Sequence, residues 1–134
     1  MKARTAPLAT ALLLLASLAG VRLAMRADAG HVWLLGRLFG SACAFREHFG
    51  VPCPNCGMSR SIVLTMHGNM VEAMSLNPAG PLLVLGVLAA ALLLGIAAIR
   101  SRDFAARRWV MRSALAYSGI YVAVLIGHWI AVIG

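Results

Sequence analysis

The sequence predicts an all-α membrane protein with three transmembrane helices and an exterior segment that carries every cysteine. Of its 134 residues, 61% are hydrophobic and 12% are charged, whereas soluble domains are about 45–50% apolar and about 25% charged. Runs without a charged residue cover residues 6–21, 78–99 and 113–134. An α-helix needs about 20 mostly apolar residues to cross a bilayer, which the last two runs supply directly.

Residues 1–26 are predicted to form the first transmembrane helix. Lys2 and Arg4 precede its leucine-rich centre, and Arg22 can extend its guanidinium to the headgroups, so that the helix continues to Met25. A cleaved secretory signal peptide fits the same basic start and small residues. A retained span, or signal anchor, is favoured because the run is longer than a typical signal-peptide core.

Residues 78–134 are predicted to form a transmembrane helical hairpin, since Asn77 can cap a helix and Pro78 suits its first turn. The link between its two helices is rich in arginine: Arg100, Arg102, Arg107, Arg108 and Arg112. Cytoplasmic loops carry an excess of basic residues, so this link and the N-terminus are placed in the cytoplasm. Residues 27–77 then lie outside an inner (plasma) membrane.

The last apolar run carries a row of small residues spaced by four: Gly119, Ala123, Gly127 and Ala131. Such a row lets another helix approach closely, so the expected partners are the lipid bilayer and either other membrane proteins or a second copy. His128 is expected to lie with Trp129 near the membrane interface. The net charge of +8 does not indicate nucleic-acid binding, because the basic residues flank the apolar runs.

The exterior segment holds Cys43, Cys53 and Cys56. Three interpretations of these residues stay open. The cysteines can form a structural disulfide, which an exterior compartment permits. They can bind zinc with His48 or His67 as a further ligand, although a second Cys-x-x-Cys is absent. They can also form a redox-active pair, in which a cation stabilises the thiolate.

The cysteine motif is Cys53-Pro54-Asn55-Cys56-Gly57. Gly57 tolerates the tight turn that the two cysteines need, and Pro54 and Arg60 are expected to be structural residues of the same motif. No haem is expected, because glycine stands where covalent haem attachment needs histidine.

Short helices are predicted on both sides of Gly68. The first covers residues 59–67 and Gly68 ends it. Asn69 has capping-box spacing to Glu72 at the start of the second. Residues 30–50 are predicted to be an interfacial helix or loop, because aromatic and apolar residues are mixed there with Arg37.

Several motifs together resemble a bacterial integral-membrane family of unknown function with a CPxCGxTR signature followed by HGD and NP. The residues that carry the resemblance are Cys43-Ala44-Phe45-Arg46, Gly50-Val51-Pro52, Cys53 to Arg60, His67-Gly68-Asn69 and Asn77-Pro78. Asn55, Ser59 and Asn69 depart from the glycine, threonine and aspartate of the signature. The resemblance implies a small integral membrane protein and assigns no activity.

The sequence therefore favours a non-enzymatic accessory or scaffold subunit with a cysteine-stabilised exterior loop. One alternative is a membrane thiol–disulfide oxidoreductase that uses Cys53 and Cys56. Another is a metal-handling transporter. The cofactor is unknown, and zinc is compatible with the cysteines.

Overall fold

The computed structural model describes residues 2–28, 30–39, 44–99 and 104–134. Six helices and three short strands occur in these ranges. In chain order they are α1 (Lys2–Ala24), β1 (Met25–Ala27), β2 (Val32–Leu34), β3 (Arg37–Leu38), α2 (Ala44–Phe49), α3 (Met58–Met66), α4 (Met70–Leu76), α5 (Ala79–Ile99) and α6 (Phe104–Ile133).

Three helices are long and apolar enough to cross a membrane, as the sequence predicts. The candidate spans are Ala6–Ala24 in α1, Ala79–Ala98 in α5 and Arg108–Ile133 in α6. Helix α6 begins well before the predicted start at residue 113. The additional turns contain mostly alanine, arginine and methionine, which are strong helix formers.

Helix α5 is the central helix, because it contacts α1, α3, α4 and α6. Beyond its first turn, where Ala79 and Pro81 are buried, its buried apolar residues are Val84, Ala91 and Ala98, and those of α1 are Ala11 and Leu18. Both sets repeat every seven residues, which is the spacing of a seam between two long helices. Small side chains on this seam let the two helices approach closely.

The segment after α1 differs from the prediction of an interfacial helix or loop over residues 30–50. It contains a three-stranded antiparallel sheet in the order β1-β2-β3, followed by the short helix α2. Val32 and Trp33 are residues that favour strands. Val32 is 3% exposed, and β1 and β2 contact α3. Burial of one face of the sheet against α3 thus selects strands over a helix.

A polar turn joins β1 to β2. The Asp28 carboxylate accepts hydrogen bonds from Trp33 Nε1 at 2.9 Å, His31 N at 3.2 Å and Gly30 N at 3.4 Å. The hydrogen bond from Trp33 is the main reason why the pKa of Asp28 lies below its usual value. The turn therefore carries a negative charge at neutral pH.

Helices α3 and α4 meet at Gly68, where the sequence predicts the break. Gly68 has φ +89°, its N–H donates to Thr65 O, and Asn69 N–H donates to Leu64 O. This pair of bonds is the Schellman motif, which satisfies the last carbonyls of α3. The predicted capping by Asn69 is wrong, because its side chain makes no cap hydrogen bond. The Schellman motif sets the Asn69 backbone at ψ 65°, away from the extended geometry of a capping residue.

Candidate functional site

The two cysteines of the motif lie in a tight turn just before α3. Cys56 N–H donates to Cys53 O at 2.9 Å, and Met58 N–H donates to Asn55 O at 3.0 Å. Gly57 then adopts φ 77°, and α3 begins at the next residue. The sulfur atoms of Cys53 and Cys56 are not bonded to one another. Both side chains are half-buried, so the turn presents two sulfur atoms at one edge of the protein.

Asn77 fastens this turn to the start of α5. Its side chain is fully buried, and Nδ2 donates to Pro54 O and Cys56 O, each at 3.2 Å. Its Oδ1 accepts the N–H of Ala79 at 3.0 Å, which is the geometry of a helix cap. One amide group thus fixes the cysteine turn and the first turn of a membrane helix together.

Ser61 joins α3 to the end of α4. Its buried Oγ lies 2.8 Å from Ala73 O and 2.7 Å from Asn77 O, so one hydroxyl proton is shared between two carbonyls. Each carbonyl also accepts a backbone N–H, that of Asn77 for Ala73 O at 3.0 Å and that of Gly80 for Asn77 O at 3.1 Å. Ser61 therefore adds a bond from α3 to the point where α4 ends and α5 begins.

Two glycines allow these elements to approach one another. A Cβ at Gly57 would lie 3.2 Å from Leu76 O, and the left-handed φ of Gly57 also disfavours a side chain. A Cβ at Gly80 would lie 2.7 Å from Ser61 Cβ. Gly57 is therefore the close contact between the cysteine turn and α4, and Gly80 is the close contact between α5 and α3.

An open groove of about 430 Å³ lies beside the cysteine turn. Cys53 and Cys56 line it together with Arg60 of α3 and with His128 and Trp129 of α6. Trp129 Nε1 donates to Pro52 O at 2.7 Å, so the end of α6 is attached to the loop that precedes the cysteines. Two thiols, a guanidinium and an imidazole thus line one open groove.

The two histidines predicted as ligands do not line this groove. Cys43 lies outside the described residues. His48 lies on α2 with its ring 6.2 Å from that of Phe49. His67 Nδ1 donates to Val63 O at 2.9 Å, within its own helix. Neither His48 nor His67 lines the groove. Among the residues that the structure describes, no group of three or more His, Cys, Asp or Glu side chains could hold a metal ion.

The predicted small residues of α6 are exposed. Gly119, Ala123, Gly127 and Ala131 all face away from the rest of the described chain. None of the residues in the Arg108–Ile133 span is buried. Helix α6 contacts α5 through the Tyr117 hydroxyl, which donates to Leu82 O.

Sequence reasoning missed Ser61 and Gly80 and did not connect Trp129 with the cysteines. Ser61 lies in an ordinary helical stretch, and no local pattern shows which carbonyls its hydroxyl will reach. Gly80 follows a helix start, where glycine is common. Trp129 lies 77 positions along the chain from Pro52. No local sequence pattern connects residues so far apart, and only the packing of the helices brings them together.

Comparison with known proteins finds a match to a family of unknown function over part of the chain. Residues 43–91 match the model of a family described as a protein of unknown function (DUF2752). The matched range contains the cysteine turn, α3, α4 and the first half of α5. The chain matches no curated protein and no solved structure. The matched range therefore includes every residue that the Asn77 and Ser61 hydrogen bonds join.

Proposed function

We propose that this protein is a non-enzymatic accessory or scaffold subunit of a membrane assembly, with the cysteine turn as its rigid outer element. The observation that carries the proposal is the buried amide of Asn77, which fixes the turn to α5 by three hydrogen bonds. No buried side-chain nitrogen or oxygen lacks a partner in the described part of the chain. Fully satisfied polar networks make a local structure rigid and unique.

Helix α6 supports the assembly part of the proposal. Its span has no buried residue, and its row of Gly119, Ala123, Gly127 and Ala131 is uncovered. Helices associate in membranes by close packing of such small residues. We propose that a transmembrane helix of another membrane protein packs against this row. The competing hypothesis is that a second copy of this chain packs there.

Thiol–disulfide exchange is a second candidate, which the groove favours. Arg60 lines the same groove as both cysteines, so a thiolate there would have a guanidinium nearby. One thiolate would attack a disulfide of a partner protein, forming a mixed disulfide and releasing one partner thiolate. The other cysteine would then attack the mixed disulfide and release the second partner thiol.

Replacement of the cysteines distinguishes the two functions. If a cross-link or a shared metal forms at the two sulfur atoms in the cell, Cys53→Ser and Cys56→Ser should each lower the amount of folded protein several-fold, because that constraint on the loop is lost. No mixed disulfide should appear on a non-reducing gel. Asn55→Ala is the matched control, since Asn55 lies in the same turn with an exposed side chain, and it should accumulate normally.

The opposite pattern would support thiol–disulfide exchange. Both serine variants would then accumulate like the wild type. The variant that lacks the resolving cysteine would retain a partner protein through a bond that a reducing agent releases.

We also propose that the protein lies in the plasma membrane with its N-terminus in the cytoplasm and its cysteine turn outside, as the arginines from Arg100 to Arg112 favour. When intact cells are treated with a membrane-impermeant thiol reagent, the variant with a cysteine in place of exposed Glu72 should carry one more adduct than the wild type. A cysteine added at exposed Arg108 should gain its adduct only after lysis. The reversed result would invert the orientation.

A further inference from the structure

The turn between β2 and β3 has an unusual residue at its tip. Leu35 adopts φ 50° and Gly36 adopts φ 80°. Two-residue hairpin turns with both φ angles positive favour asparagine, aspartate or glycine. Leucine adopts the left-handed region at a steric cost, and the Leu35 side chain is 79% exposed. The fold therefore gains little from leucine at this position.

The strand register places this turn beside the end of the first membrane span. Met25 pairs with Leu34, and Leu35 N–H donates to Ala24 O at 2.8 Å. Ala24 is the last residue of the candidate span. The polar turn that contains Asp28 and His31 lies at the other end of the same two strands.

The surroundings of the turn have the composition of a membrane interface. Leu23, which precedes Ala24, is 84% exposed, and Leu38 of β3 is 51% exposed. Three exposed arginines lie near this turn, at about the same distance along the axis of α1 and the sheet: Arg22, Arg26 and Arg37. Exposed leucines next to exposed arginines match the acyl boundary and the phosphates of a lipid headgroup layer.

We infer that the Leu35–Gly36 turn is a membrane wedge, which inserts Leu35 into the headgroup and acyl boundary of the bilayer that α1 crosses. The occupant of this surface is lipid, because the turn continues directly from the membrane span and because its charged neighbours are cations. Interfacial segments of this kind enter the boundary by about 5–10 Å. The turn with Asp28 and His31 stays in water. The inference rests on α1 crossing the bilayer.

The experiment encodes an environment-sensitive fluorescent amino acid at one position at a time in the full chain, reconstituted in vesicles with and without anionic lipid. The positions are 35 at the wedge, 31 on the opposite turn and 13 in the middle of α1. Leu13 is 70% exposed and His31 is also exposed, so neither probe disturbs the core. Quenching by nitroxide-labelled lipids reports insertion, and quenching by aqueous iodide reports exposure to water.

At position 35 we expect blue-shifted emission and several-fold stronger quenching by lipids labelled near the headgroup than at position 31. In anionic vesicles, Arg37→Gln should reduce this difference. Equal iodide quenching at positions 35 and 31, with position 13 quenched by lipid, would overturn the wedge while leaving the span intact. A water-exposed probe at position 13 would instead overturn the span on which the wedge rests.

Discussion

Replacement of Asn77 by alanine is expected to lower the free energy of unfolding by about 3–5 kcal/mol. The change leaves Pro54 O and Cys56 O without a donor and Ala79 N–H without an acceptor. Each buried group that loses its partner costs about 1–3 kcal/mol, and loss of a helix cap costs about 1 kcal/mol. Because folded proteins are stable by only about 5–15 kcal/mol, the variant should accumulate poorly and unfold at a much lower temperature in detergent.

Two further variants show whether the amide geometry is responsible. Asn69→Ala is the matched control, because Asn69 also precedes a helix but is exposed and makes no cap hydrogen bond. Its thermal midpoint should stay within the error of the wild type. Asn77→Asp keeps the acceptor for Ala79 N–H but directs a carboxylate at two carbonyls, so it should be nearly as damaging as alanine. A thermal midpoint for Asn77→Asp close to that of wild type would contradict the role given to Nδ2.

The three spans could be predicted from the sequence because each depends on a local property. A run of about 20 apolar residues must satisfy its backbone within a helix once it enters a bilayer. The break at Gly68 is local for the same reason, since left-handed backbone favours glycine whatever surrounds it. Asn77 followed by Pro78 likewise marks a helix start within two residues.

The small sheet could not be predicted because its strands are only two or three residues long. An alternating pattern needs a longer run before it can be distinguished from a helix face. Burial of Val32 against α3 decides between the two, and that contact joins residues about 30 positions apart. The sheet also changes the position expected for Leu35, which lies at a turn between two strands and not on an interfacial helix.

Some residues of the candidate site could be named from the sequence, but its connections could not. The motif and Asn77 were recognised as separate signals, yet they form one structure because Asn77 Nδ2 reaches back to the turn across more than 20 residues. The groove adds His128 and Trp129 from the end of the last helix. Only the antiparallel packing of α6 on α5 brings that end to the cysteines.

Gly80→Ala is expected to destabilise the protein by about 1–3 kcal/mol, the usual range for overpacking a close contact. The new Cβ would lie 2.7 Å from Ser61 Cβ and 3.2 Å from Ile62 N, so α3 and α5 must separate. Separation would also strain the bonds from Ser61 Oγ to Ala73 O and Asn77 O. The thermal midpoint of the purified protein and the amount in the membrane should both fall.

Gly95→Ala is the matched control, because Gly95 lies on the same helix with nothing within 4 Å of an added Cβ. Alanine in a helix is favoured over glycine by about 1 kcal/mol, so this control should be neutral or slightly stabilising. Ser61→Gly removes the side chain that collides, so it should destabilise less in the Gly80→Ala background than in the wild type. Additive effects of the two changes would show that Gly80 and Ser61 do not share the contact that holds α3 against α5.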